Sequence, residues 1–80
     1  MWIRSQNLLK LVKCDLLYVR QRESDSFYVI EAGVITLGSY STLEKALKVL
    51  DQIQYNMESF EHEPTMVFQM PQDDEVEVWS

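Results

Sequence analysis

The single histidine is the first residue whose chemistry has to be considered. His62 lies between Glu61 and Glu63 in the stretch FEHEP. An imidazole beside two carboxylates suits weak metal binding or proton transfer, but both uses need further groups that converge on the ring. The stretch is polar and runs into Pro64, so we expect an exposed loop histidine with no catalytic role.

The single cysteine is the only candidate for thiol chemistry. Cys14 has Lys13 and Asp15 as its neighbours. Adjacent residues of a strand point to opposite faces, so we expect a small buried side chain rather than an activated thiol. A lone cysteine excludes an intramolecular disulfide and cysteine-built zinc sites, and it is typical of a reducing cytosol.

The carboxylates are numerous but gathered in one polar stretch near the end of the sequence: Asp73, Asp74, Glu75 and Glu77. A paired-carboxylate catalyst needs one acid in an apolar pocket. The stretch also lacks the ligand spacing and glycine of a calcium loop, and two isolated glycines cannot build a phosphate cradle. The sequence therefore predicts no catalytic, metal-binding or cofactor-binding residues, and a protein that is not an enzyme.

The charge is unevenly distributed along the chain. The net charge is −6, yet residues 1–22 hold five cations and one acid, while residues 23–80 hold two cations and twelve acids. An acidic protein is poorly suited to neutralising phosphates, so direct nucleic-acid binding is not expected. The acids indicate either solubility and charge pairing or a surface for a basic partner protein. No apolar run approaches the ~20 residues of a membrane span, and no signal peptide is expected, so the predicted location is the cytoplasm.

Residues 40–60 carry the pattern of an amphipathic helix. Ser41 and Glu44 fit a capping box, in which each side chain satisfies a backbone N–H of the first turn. Apolar residues then recur every three or four positions, which predicts one apolar face: Leu43, Ala46, Leu47, Leu50, Ile53, Met57 and Phe60.

The rest of the sequence predicts strands. The expected strands are MWIRSQ, residues 10–21, residues 27–32, residues 34–40 and residues 65–70. RESDS and Gly33 supply turns, and Gly38 predicts a bulge or a close backbone approach. The order ββββαβ predicts an α+β domain over residues 1–71, with a mainly antiparallel sheet of about five strands and the helix on one face. Residues 72–80 are either an acidic tail or an edge strand.

The predicted strands are apolar on both sides, although one helix can cover only one face of a sheet. A second copy of the chain, a different protein or a sheet curled on itself could cover the other face, or its apolar residues could simply be exposed. We expect self-association, most simply as a homodimer. The candidate contact residues are Trp2, Leu17, Val19, Tyr28, Ile30 and Trp79.

Three segments together resemble a family of small uncharacterised proteins from Gram-positive bacteria, their prophages and phages. These are MWIRSQ at the start, LGSYSTLEKALKVLDQIQ in the middle and VFQMP near residue 70, and they cover 29 of the 80 residues. The resemblance implies a cytoplasmic setting and a mobile-element origin, but no activity and no site residue. The expected function is a non-enzymatic interaction module. The alternative is an acidic phage-type regulator that inhibits a host protein that handles nucleic acid.

Overall fold

The secondary-structure elements are short strands and one long helix. The computed structural model describes residues 2–14, 16–59 and 67–77. Strands β1 to β5 precede helix α1, and β6 and a 3-10 turn follow it. Their bounds are β1 Trp2–Arg4, β2 Leu11–Lys13, β3 Tyr18–Gln21, β4 Tyr28–Ala32, β5 Ile35–Tyr40, α1 Leu43–Ser59, β6 Val67–Gln69 and the 3-10 turn Asp73–Glu75. The predicted α+β class is confirmed.

The strands form two sheets of three, so the prediction of a single five-stranded sheet is wrong. Sheet 1 has the order β2-β1-β6, and sheet 2 has the order β3-β4-β5. All neighbouring strands are antiparallel except β1 and β6, which are parallel. The run over residues 10–21 is divided because Cys14 and Leu17 both pack against the core. A continuous strand would place these two side chains on opposite faces.

Helix α1 packs on sheet 2, and the part of its apolar face that is buried is narrower than the sequence predicts. Ala46, Val49 and Ile53 are fully buried. Leu43, Leu47 and Met57 belong to the predicted apolar face, but each is more than two-fifths exposed. The 3.6-residue period explains the difference, since an apolar face broader than about 100° extends past the contact with the sheet.

The helix cap is displaced by one residue from its predicted position. The Thr42 hydroxyl accepts the N–H of Lys45 at 3.2 Å, so the predicted capping box of Ser41 and Glu44 is wrong. Ser41 instead donates its N–H and its hydroxyl to Asp73 Oδ1, at 2.8 and 3.1 Å. Partial burial raises the pKa of Asp73, but these donors and Lys45 outweigh burial and hold it below its usual value.

Both glycines take the roles predicted for them. Gly33 has φ +61° in the turn between β4 and β5, a conformation that glycine adopts without strain. At Gly38 a bulge and a close approach coincide. The β4–β5 register shifts between Ile30 and Glu31, and a Cβ on Gly38 would lie 3.2 Å from the terminal methyl of Met70.

Gln6 joins the two sheets through its backbone and its side-chain amide. Its N–H donates to the Leu37 carbonyl at 2.7 Å. Its Oε1 accepts the N–H of Ser39 at 2.9 Å, and its Nε2 donates to the carbonyls of Ser39 and Pro71, both at 3.1 Å. The amide therefore bonds to β5 much as the backbone of a neighbouring strand would.

The segment after β6 packs into the same core as residues 1–71. Val76 is buried in the core cluster, and Tyr40 donates its hydroxyl to the Pro71 carbonyl at 2.8 Å. Burial, together with the nearby Asp73 and Glu75, raises the pKa of Tyr40. Over residues 72–77 the structure therefore shows neither a loose tail nor an edge strand.

Candidate interaction surface

The outward face of sheet 2 turns away from helix α1 and consists of Tyr18, Arg20, Val29, Glu31, Thr36 and Ser39, as the strand register requires. Glu31 is 6% exposed. It accepts two bonds from the Arg20 guanidinium, at 2.8 and 3.2 Å, and one from the Thr36 hydroxyl at 3.1 Å. The face is polar, and its buried carboxylate is fully engaged within the chain.

The electrostatics of this face follow from the same contacts. The hydrogen bonds from Arg20 lower the pKa of Glu31 most, and the bond from Thr36 lowers it further against the opposing effect of desolvation. Tyr18 donates its hydroxyl to the Gly33 carbonyl. The prediction that the strands of this sheet carry apolar residues on both sides is therefore wrong, since only Val29 is both apolar and buried on the outward side.

Most of the predicted contact residues pack towards the core. Ile30 is fully buried beneath the helix, so its prediction as a surface contact is wrong. Leu17, Val19 and Tyr28 are half-buried and pack against the same core cluster. Pairing explains this, because the register that puts Ile30 inward brings its neighbour Val19 inward as well. Trp79 lies outside the described residues.

Trp2 lies on a different surface, the outward face of sheet 1, which consists of Trp2, Arg4, Leu11, Lys13, Val67 and Gln69. Ile3, Val12 and Phe68, the alternate residues of these strands, face the core. Trp2 lies between Lys13 and Val67 in one row of paired residues, and Arg4 lies between Leu11 and Gln69 in the next. Leu11 and Val67 are both about half exposed. This face therefore leaves apolar surface uncovered.

The turn between β1 and β2 extends this face with two exposed leucines. Leu8 has φ +69°, a strained conformation for a side chain of its size. Arg4 holds the turn by donating Nε and Nη2 to the Leu8 carbonyl, at 3.2 and 3.1 Å. Leu9 is 82% exposed. This turn was not predicted from the sequence, although Asn7, whose Oδ1 accepts the N–H of Leu9 at 3.0 Å, was a signal for it.

The cations in and next to sheet 1 differ from the other cations of the described residues in their ion pairs. Within the described part of the chain, the ion pairs are Arg20–Glu31, Arg22–Asp25 and Lys45–Asp73. The cations Arg4, Lys10 and Lys13 form no ion pair with any described residue. The outward face of sheet 1 therefore combines apolar side chains with cations that form no ion pair with a described carboxylate.

Helix α1 presents the opposite charge on its solvent side. Five exposed residues lie within one 80° stripe at 100° per residue, and this outer helix stripe consists of Glu44, Leu47, Asp51, Tyr55 and Glu58. Both lysines of the helix turn towards the C-terminal segment. Lys45 donates to Asp73, and Lys48 donates to the Glu77 carbonyl. The stripe therefore carries three carboxylates and no cation.

A cleft of about 240 Å³ separates the helix from sheet 1. Its lining is mainly apolar and consists of Ile3, Cys14, Leu17, Leu50, Ile53, Gln54 and Met57. Sites for small molecules usually enclose about 300–1,000 Å³ and hold several convergent polar groups. With one polar side chain in its lining, the cleft suits an apolar side chain better than a substrate.

The described residues offer no group of three histidine, cysteine, aspartate or glutamate side chains that could hold a metal ion; His62 lies outside those residues. Among the same residues, no helix has the length and apolar character needed to cross a membrane. No protein-family model, no curated protein and no solved structure matches this chain. The resemblance to the Gram-positive and phage family therefore stays a prediction.

Proposed function

We propose that the protein is a non-enzymatic cytoplasmic interaction module that self-associates through the outward face of sheet 1. The observation that supports the proposal is the row that places Trp2 beside Val67, with Leu11 on the neighbouring row. Trp2 is half-buried, whereas Leu11 and Val67 are exposed, and aromatic and aliphatic side chains near a cation are typical of the anchors of protein interfaces.

The size of the face sets the strength of the association. Three strands of three residues cover roughly 150 Å² of sheet, and the Leu8–Leu9 turn enlarges this area. A stable interface buries about 800 Å² on each partner. We therefore expect weak association that is detected only at high protein concentration.

Sedimentation velocity over a range from about 10 μM to 1 mM tests the proposal. The variant Leu11→Ser/Val67→Ser should shift association to about tenfold higher concentration, because it removes two exposed apolar contacts. Val34→Ser is the matched control, since Val34 is 98% exposed and lies away from sheet 1. A wild-type protein that stays monomeric at 1 mM would refute the proposal.

The second candidate function is an acidic regulator that binds and inhibits a host protein that handles nucleic acid. The observation that favours it is the outer helix stripe, whose carboxylates are exposed while both helix lysines are turned away. The test is capture of host proteins on the immobilised chain at low and high salt. A basic partner that is lost on the variant Asp51→Asn/Glu58→Gln would support it, and salt-insensitive capture would contradict it.

A further inference from the structure

We infer that the outward face of sheet 1 binds the outer helix stripe of a second copy of the chain. This inference rests on the proposed self-association and specifies its partner surface. Since the two surfaces are different, the contact is heterologous, and one molecule can bind a second through sheet 1 and a third through its helix.

The charges of the two surfaces favour this arrangement over a symmetric one, in which the sheet 1 faces of both copies would contact each other. Two sheet 1 faces packed on each other would bring Arg4 and Lys13 of both copies into one interface, where neither face supplies a carboxylate, and this opposes association. The outer helix stripe supplies the opposite charge through Glu44, Asp51 and Glu58, all exposed. Heterologous packing therefore brings the cations of sheet 1 in one copy next to carboxylates of another.

The spacing of the charges is compatible with this pairing. Asp51 and Glu58 are seven residues apart, which corresponds to about 10.5 Å along the helix. Arg4 and Lys13 lie on adjacent strands and two residues out of register, which corresponds to about 8 Å between their backbones. Arg4 is held against the Leu8 carbonyl, so the flexible stem of Lys13 has to accommodate a difference of this size.

The apolar residues of the two surfaces also correspond. Leu47 and Tyr55 lie on either side of Asp51 in the stripe, and Tyr55 is 68% exposed. Trp2 and Leu11 lie beside the cations of sheet 1. Each surface thus offers apolar side chains next to its charges, and each can cover the apolar side chains of the other.

A complementation experiment by sedimentation velocity tests the inference. Variant S, Lys13→Glu, alters only the outward face of sheet 1, and variant H, Asp51→Lys/Glu58→Lys, alters only the outer helix stripe. Each alone should associate about tenfold more weakly than the wild type. An equimolar mixture should associate again at wild-type concentrations, because variant S retains an intact helix stripe and variant H an intact sheet 1. Wild-type association should weaken between 50 and 500 mM salt.

The outcomes separate this inference from the proposed function. If variant H associates like the wild type while variant S does not, sheet 1 binds another surface, so the inference fails and the proposed function stands. If both variants lose association and their mixture does not regain it, the two surfaces do not bind each other. If the wild type is monomeric throughout, both proposals fail. Circular dichroism of each variant shows whether its fold is retained.

Discussion

The outward faces of the two sheets differ in how they meet water. On sheet 2, a carboxylate at the centre of the face is buried and bound by Arg20 and Thr36. On sheet 1, a tryptophan at the centre is flanked by Lys13 and Val67, and the cations form no ion pair with a described residue. The first face satisfies its polar groups within the chain and needs no partner. The second leaves apolar surface and charge for another molecule.

The largest expected effect on stability comes from shortening a side chain on the inward side of sheet 2, compared with shortening one on the outward side of sheet 1. Ile30→Ala should lower the free energy of unfolding by about 2–5 kcal/mol, because Ile30 is fully buried in the core. Leu11→Ala is the matched comparison and should cost less than about 0.5 kcal/mol, since Leu11 is half exposed. Urea denaturation at low protein concentration measures both. Equal losses would contradict the assignment of Leu11 to the surface.

The second test compares the same kind of substitution on the two outward faces. Arg20→Met should lower stability more than the matched substitution on sheet 1, because it leaves the carboxylate of Glu31 without its main donor. Lys13→Met removes a cation that has no ion-pair partner among the described residues and should change stability by less than about 0.5 kcal/mol. Similar values for the two variants would remove the distinction between the faces.

The pH dependence of the same variants sharpens this comparison. The hydrogen bonds from Arg20 hold the folded-state pKa of Glu31 below its unfolded value, which is about 4.3. The stabilisation is therefore complete above that pH and is lost as the pH falls through the folded-state pKa. The stability difference between wild type and Arg20→Met should shrink from pH 7 to pH 3 in urea titrations. The difference between wild type and Lys13→Met should stay constant over this range.

The smallest expected effect concerns the turn that extends sheet 1. Leu8→Gly should raise stability by up to ~1 kcal/mol, because glycine adopts the positive φ of this position without strain. Leu9→Gly is the control in the same turn. It should lower stability by a few tenths of a kcal/mol, since glycine there only increases the freedom of the unfolded chain. Thermal unfolding distinguishes the two, and a loss of stability in both would show that Leu8 is unstrained.

The elements with strong local patterns could be predicted from the sequence. The helix follows from apolar residues spaced three and four apart, and Gly33 and Gly38 indicated the hairpin turn and the bulge. The division into two sheets could not be predicted. Residues 10–21 have apolar residues at both odd and even positions, so the sequence is compatible with one continuous strand. Only the partner strands of residues 11–13 and 18–21 show that Cys14 and Leu17 both face the core.

The candidate surface was only partly accessible from the sequence. Trp2 lies on this surface, and its role as a contact stays a prediction, whereas Ile30, of equally apolar type, is in the core. Leu11 and Val67 were missed because exposure depends on register, and register is fixed by partners that are distant in sequence. The burial of Glu31 could not be predicted from the sequence either, because its partner Arg20 lies on another strand.

Gln6 has a further consequence for how the protein avoids misassembly. Strand β5 is the longest described strand, and an uncovered strand of that length is a template onto which another chain can add. The Gln6 amide occupies the backbone groups of Ser39 on that flank. A shorter or apolar residue at position 6 would free them, and fibrillar aggregation would then compete with folding.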